Sequence, residues 1–226
     1  MKKLLLLIMV SIFSLNVYAH GGASAIRGVR WTPVNIVAFP IALFDPEETE
    51  VYGVLFSPGF GASKEVYGIN SGIVTAVLEN SYGISLNIVS VALRHHGVSI
   101  GVVNMGYNDG ISAGIFTIGG NRGIILGLCN LVIDNDGISL GVINLLENNA
   151  GVSIGLVNRM IAGGGKSSGT SVGVANISKK NTFQLGIYNQ AEGGLQIGLL
   201  NYNPNAAIPW LPFFNYSSDT EDKKQK

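Results

Sequence analysis

Charge is scarce in this sequence. Its 226 residues include 14 Lys or Arg and 14 Asp or Glu, so the formal net charge is zero. Charged residues make up 12% of the chain, which is about half the share found in an average soluble domain. Proteins that bind nucleic acid present a basic surface to the phosphates. The charge balance therefore argues against a nucleic-acid partner.

Cysteine is also nearly absent. Cys129 is the only one, which excludes a disulfide within the chain. At the equivalent point of neighbouring repeats the sequence has Val, Ile, Leu, Ala, Phe or Tyr, so we interpret Cys129 as a small apolar side chain. A nucleophilic thiolate needs a neighbouring base, and the histidine pair at 95–96 is distant in sequence.

Glycine, in contrast, is abundant, and many of its 31 copies belong to one tandem phrase of eight residues. Nine such phrases lie between residues 83 and 201, and their starts are 12 to 18 residues apart. In order they are GISLNIVS, GVSIGVVN, GISAGIFT, GIILGLCN, GISLGVIN, GVSIGLVN, GTSVGVAN, TFQLGIYN and GLQIGLLN. A short, nearly fixed period predicts a repeat architecture.

The phrase has a period of two. Positions 2, 4 and 6 are apolar with one exception, Thr170, and position 3 is usually Ser or Gln. This alternation, together with the many β-branched residues, predicts strands. We expect positions 2, 4 and 6 to point inward and the small residues at 3 and 5 to point outward. Position 5 is Asn87 in the first phrase and Gly in the others, namely Gly101, Gly114, Gly127, Gly141, Gly155, Gly173, Gly186 and Gly198.

Asparagine closes seven phrases, and Ser90 and Thr117 replace it in the other two. A side-chain amide bonds backbone groups at a bend, so we expect structural corner residues that stack into an Asn ladder. A row of ligand-binding amides is the functional alternative. The residues concerned are Asn104, Asn130, Asn144, Asn158, Asn176, Asn189 and Asn201.

All charged residues between 83 and 201 lie between phrases, so we expect the spacers to be solvated turns. The sequence thus predicts an all-β fold, a β-solenoid-like array of about nine repeats with capping segments at both ends. The alternative is an antiparallel up-and-down outer-membrane β-barrel.

The predicted domain organisation has five segments. Residues 1–19 have the charged start, apolar core and Val-Tyr-Ala ending of a signal peptide. Residues 20–82 form an N-terminal cap with degenerate strands, and 83–201 form the tandem array. An aromatic and proline-rich cap spans 202–216, and 217–226 is a polar, disordered tail. We therefore expect an exported bacterial protein at the cell surface, in the outer membrane or in the periplasm.

Four short motifs resemble metal-binding or phosphate-binding sites, but a structural explanation fits each of them better. After cleavage an N-terminal His20 would need a second histidine to hold copper, and the pair at 95–96 fits an exposed turn. The IDNDG stretch at 133–137 lacks the closing Glu of a calcium loop. GGGKSSGTS at 163–171 lacks the first Gly of a phosphate loop. We predict no catalytic, metal or cofactor site.

The phrase G-[apolar]-[S/Q]-[apolar]-G-[apolar]-[apolar]-N, with runs such as GLQIGLLN and the ending IPWLPFFNY, resembles the leptospiral-type surface-repeat proteins of bacteria. The resemblance covers roughly residues 51–216. It implies an exported protein that is associated with a membrane or with the cell envelope, and it carries over no catalytic residues.

Three classes of function follow from these observations. The leading hypothesis is a non-catalytic envelope or surface repeat protein with a structural, binding or adhesive role. The second is an outer-membrane barrel that acts as a pore or a structural element. The third is a polysaccharide-acting enzyme, for which Asp109, Asp134 and Asp136 are the candidate carboxylates.

Overall fold

In a computed structural model, the described chain is built of strands and turns and has no helix. Accordingly, no helix in this part of the chain is long and apolar enough to cross a membrane. The predicted signal peptide at 1–19, most of the 163–171 motif and the tail from residue 218 onward lie outside the described residues. The structure describes residues 29–38, 41–42, 48–161, 168–179 and 181–217.

The chain divides into two compact units, residues 1–119 and 120–226. In unit 1, β3 pairs with β1 and with β4, both in parallel, and β1 pairs with β2 antiparallel. Its strands are β1 (Trp31–Ala38), β2 (Ile41–Ala42), β3 (Glu50–Ser63), β4 (Glu65–Asn108) and the first part of β5 (Ile111–Asn121).

β4 is 44 residues long because it continues through successive coils without a break. The Gly68 carbonyl lies against the α-carbon of Gly83, and the Gly83 carbonyl lies against that of Gly97. Gly68 is therefore the first residue of a further copy of the phrase, GINSGIVT at 68–75, which stacks below the copy that begins at Gly83.

In unit 2 each strand pairs in parallel with the next, up to an antiparallel last pair, β11 with β12. The prediction of a β-solenoid is confirmed, and the antiparallel alternative is wrong. The strands are β6 (Ile124–Asn135), β7 (Ile138–Asn149), β8 (Val152–Met160), β9 (Thr170–Ile177), β10 (Asn181–Gln190), β11 (Gly193–Tyr202) and β12 (Trp210–Ser217).

Equivalent positions of consecutive phrases lie side by side in unit 2. Gly127 is paired with Gly141, and Asn130 is paired with Asn144. The register continues from Asn144 to Asn158. One coil of the solenoid therefore holds one phrase and one spacer.

The orientation that we expected for the phrase is wrong. Ser139 at position 3 and Asn144 at position 8 are fully buried, whereas Ile154 at position 4 and Leu156 at position 6 are 41% and 56% exposed. The interior is thus lined by small polar side chains, and the apolar rows face outward. The polar interior is stable because its amides and hydroxyls bond to one another.

The expectation that the spacers are solvated turns is also wrong in part. β6 and β7 run past their phrases to Asn135 and Asn149. Val132 and Leu146 in these extensions are buried and pack with Ile125 in a small apolar cluster. The apolar core of unit 2 therefore lies largely in the spacers, and the polar ladders lie mainly under the phrases.

Candidate functional site

The asparagines at position 8 form one hydrogen-bonded ladder in unit 2. The Nδ2 of each donates to the Oδ1 of the asparagine in the next coil, at 2.7–2.9 Å. The same nitrogen donates to the position-4 carbonyl of that next coil, at 2.9–3.0 Å. In order the ladder contains Asn130, Asn144, Asn158, Asn176, Asn189 and Asn201.

The ladder ends on the antiparallel cap, where Asn201 Nδ2 donates to the Leu211 carbonyl at 3.1 Å. In unit 1, Asn104 follows the same rule, since its Nδ2 donates to the Ala113 carbonyl at 2.9 Å and its Oδ1 accepts from Ser99. These amides are buried and are hydrogen-bonded within the protein. They are placed to hold adjacent coils together and are not accessible to a ligand.

A second ladder was missed by the sequence reasoning. Asn121 Nδ2 donates to Asn135 Oδ1, and Asn135 Nδ2 donates to Asn149 Oδ1, both at 2.8 Å. Ser139 also donates to Asn135 Oδ1, at 3.0 Å. The signal was present in the sequence, because these three asparagines recur in the spacers at intervals of 14 residues.

Glycine at position 5 makes room for the ladder. A Cβ built on Gly141 would lie 2.6 Å from Asn130 Nδ2, and one on Gly155 would lie 2.8 Å from Asn144 Nδ2. Contacts this short would force the ladder amide to shift from its hydrogen-bonded position. All eight position-5 glycines are half-buried, and in unit 1 a Cβ on Gly114 would lie 3.0 Å from Asn104 Nδ2.

The first phrase of the array has a different pair of residues at positions 5 and 8. It has Asn87 at position 5, which is only 5% exposed, and Ser90 at position 8. The Asn87 amide donates to Ser85 at 2.9 Å, and Ser85 and Ser90 share a hydrogen bond of 3.2 Å. Positions 5 and 8 thus point into the same interior space, and in this phrase the amide lies at position 5 and the hydroxyl at position 8.

An open apolar groove runs across the outer face of unit 2, with a volume of about 950 Å³. Its floor is the backbone at the position-5 glycines, and its walls are the side chains at positions 4 and 6. No charged or polar side chain lines it. The wall residues are Leu140, Val142, Ile154, Leu156, Val172, Val174, Leu185, Ile187, Ile197 and Leu199, and Phe213 lies at the C-terminal end. We call this set of residues the groove face.

Phe213 has an unusual conformation for a bulky residue. Its φ is 70°, in the left-handed region that costs an L-residue roughly 1–2 kcal/mol. Its side chain is 69% exposed, so little burial compensates for this cost. Strain of this kind concentrates at functional sites.

Unit 1 carries a column of stacked rings. Tyr52, Tyr67, Tyr82 and His96 lie one above the next, with centroids 4.7–4.8 Å apart and planes within 8° of parallel. The Tyr67 hydroxyl donates to Glu65 at 2.8 Å. This hydrogen bond to a carboxylate raises the pKa of Tyr67, and the hydrogen bond to Glu50 likewise raises the pKa of Tyr52.

The two adjacent histidines lie on opposite faces of β4, and the expected exposed turn is therefore wrong. His96 ends the ring column and lies 3.5 Å from Asp109 Oδ2, to which Arg94 Nε is 3.4 Å away. His95 is 6% exposed, and neither ring nitrogen makes a hydrogen bond of good geometry. Burial lowers the pKa of His95, and the nearby Val98 carbonyl partly opposes that shift.

His95 lines a small interior cavity of about 20 Å³, which is room for one water molecule. Asn104, Asn108 and Ser112 line the same cavity, as does Thr117, whose buried hydroxyl has no partner. The cavity has room for nothing larger than a water molecule. It explains how a buried histidine is accommodated and offers no space for a substrate.

The remaining candidates form no reactive constellation. Asp134 accepts a hydrogen bond from Asn148 Nδ2 at 2.7 Å, and Asp136 is exposed. Burial raises the pKa of the Cys129 thiol, which is the opposite of nucleophilic activation. Over the described ranges, no group of three His, Cys, Asp or Glu side chains is placed to hold a metal ion.

Comparison with known proteins adds no further constraint: no family model, no curated protein and no solved structure matches this chain.

Proposed function

We propose that this protein is a non-catalytic, exported repeat protein of the bacterial envelope or cell surface, with a structural or binding role. The observation that carries the proposal is the groove face of unit 2. It is a regular, uncharged and solvent-exposed apolar surface built on a hydrogen-bonded scaffold. Exposed apolar patches of this extent in proteins mark sites of protein–protein or membrane interaction.

The scaffold is suited to presenting such a surface. Each ladder asparagine joins its coil to the next through two hydrogen bonds, for example from Asn144 to Asn158 and to the Ile154 carbonyl. A backbone held in this way loses little further freedom on binding, which favours association. The outer rows therefore form a pre-organised surface.

The same observations support a non-catalytic role. Catalysis by paired carboxylates requires two side chains that face one bond of the substrate. Asp109 is engaged by Arg94 and His96, and Asp134 is engaged by Asn148. These carboxylates serve local structure within their own spacers.

Export to the envelope is expected from the signal-peptide pattern at 1–19 and from the surface-repeat resemblance. In this proposal the groove face is the surface through which the protein binds its partner in the envelope.

The test is fractionation of bacteria that express the full chain. We expect cleavage near residue 19 and recovery with the envelope, and we expect Leu199→Glu to reduce that recovery. Leu200→Glu is the matched control, because Leu200 is the next residue, is also exposed and does not line the groove. An uncleaved, cytoplasmic protein would refute the proposal, and so would equal envelope recovery of both variants.

A further inference from the structure

The groove face exposes more apolar area than an unpartnered protein normally does. The exposed fractions of Leu156, Leu199 and Phe213 are 56%, 63% and 69%. The largest apolar patch of a typical monomer covers about 300–600 Å². Nine of the eleven side chains of the groove face are 39–69% exposed, an exposed area on the order of the roughly 800 Å² that each partner buries in a standard protein–protein interface.

The chemistry of this face limits its partner. All of its side chains are Leu, Ile, Val or Phe, with glycine backbone between the two walls. An uncharged lining offers no compensation for a buried charge, so the surface that covers it must itself be apolar and uncharged. The groove face meets that requirement itself.

The geometry of the face is also self-complementary. The position-4 and position-6 side chains form two parallel ridges, and the position-5 glycines form the furrow between them. Ridges and furrow repeat once per coil, at the roughly 4.8 Å spacing of hydrogen-bonded strands. A second copy has the same spacing by construction, so a ridge of one copy fits the furrow of the other along its whole length.

We infer that the groove face of unit 2 binds the same face of a second copy of this chain and forms a two-fold symmetric dimer. In such an interface each residue of one copy meets an equivalent set in the other. The two sheets would pack about 10 Å apart, as in a β-sandwich. Phe213, held exposed at the end of the groove, would then be covered by the partner.

This inference rests on the proposed function, because it names the partner of the apolar surface, and the two can fail separately. A protein that reaches the envelope and stays monomeric would overturn the dimer and leave the proposed function standing. A dimeric protein that stays in the cytoplasm would do the reverse.

The test is sedimentation equilibrium of the purified protein, without detergent, over a wide range of concentrations. We expect a reversible dimer. Leu199→Glu should weaken it at least tenfold, because two buried leucines become two charges without partners. Leu200→Glu should leave the dissociation constant within about twofold of the wild type. Circular dichroism on both variants checks that the solenoid is retained.

Three results would overturn the inference. The first is a wild-type protein that is monomeric at every concentration. The second is a dimer that Leu199→Glu leaves intact while the variant remains folded. The third is a wild-type monomer that floats with phosphatidylcholine vesicles, which would identify a lipid surface as the occupant of the groove face in place of a second copy.

Discussion

Replacing Asn144 by leucine tests whether the amide ladder holds the coils together. The two side chains have similar shape, so the change mainly removes polar atoms. Asn144 Nδ2 donates to Asn158 Oδ1 at 2.8 Å and to the Ile154 carbonyl at 3.0 Å, and its Oδ1 accepts from Asn130 at 2.7 Å. The substitution removes all three bonds.

The magnitude follows from what each partner retains. Asn130 Nδ2 keeps its bond to the Leu140 carbonyl, and Asn158 Oδ1 keeps its bond from Ser153. Each lost bond costs about 0.5–1.5 kcal/mol, and a buried group left without a partner costs about 1–3 kcal/mol. Burial of the leucine returns part of this, so we expect a loss of roughly 2–4 kcal/mol in the free energy of unfolding.

The measurement is urea unfolding followed by circular dichroism, with Asn148→Leu as the matched control. Asn148 belongs to the same coil, is half-buried and donates one side-chain hydrogen bond, to Asp134. Its replacement should therefore lower the free energy of unfolding by less than about 1 kcal/mol. If Asn144→Leu were as stable as the control, the ladder would not be what joins the coils.

Two further predictions concern the interior of each unit. Gly155→Ala should destabilise unit 2, because the new Cβ would clash with the backbone carbonyl oxygen of Gly141 and would also meet Asn144 Nδ2 at 2.8 Å. Gly59→Ala, where nothing lies within 4 Å, should be neutral or slightly stabilising in the same urea titration; equal effects would show that the close approach does not matter. The pKa of His95 is lower in the folded protein than in the unfolded chain, so on acidification the unfolded chain is protonated at this histidine first. The stability of the fold should therefore decrease as the pH drops below about 6.5. The free energies of unfolding of the wild type and of His95→Gln should be compared at pH 7 and pH 5, and the decrease between the two pH values should be smaller in the variant. An identical decrease would exclude His95 as the group responsible. Both proteins retain the titratable neighbours His96 and Tyr107.

The sequence was sufficient to predict the repeat, the strands and the ladder of asparagines. All three depend on residues that stack on copies of themselves, as Asn130 stacks on Asn144 and Gly127 on Gly141. Parallel in-register pairing repeats one local environment in every coil. A position whose local environment requires one residue type therefore has that residue in successive coils.

The second ladder escaped prediction because of its neighbours. Asn135 lies between Asp134 and Asp136, and this run of polar residues has the composition of a turn. Only its 14-residue spacing from Asn121 and Asn149 distinguishes it from an exposed residue. His95 was misjudged for a similar reason, since Arg94 and His96 beside it are polar and lie on the outer face.

Composition alone does not predict which face of each phrase points into the solenoid. A strand with period two has one apolar and one small polar face, and hydrophobicity alone assigns the apolar face to the interior. Here hydrogen bonding reverses that assignment, because the interior is narrow enough for amides and hydroxyls to bond to one another between coils. The first phrase contains the evidence for this. It has Asn87 where other phrases have glycine, and Ser90 where most have asparagine. Such an exchange is expected only if both positions fill one space, and a space that holds an amide or a hydroxyl in every phrase is an interior that requires hydrogen-bonded partners.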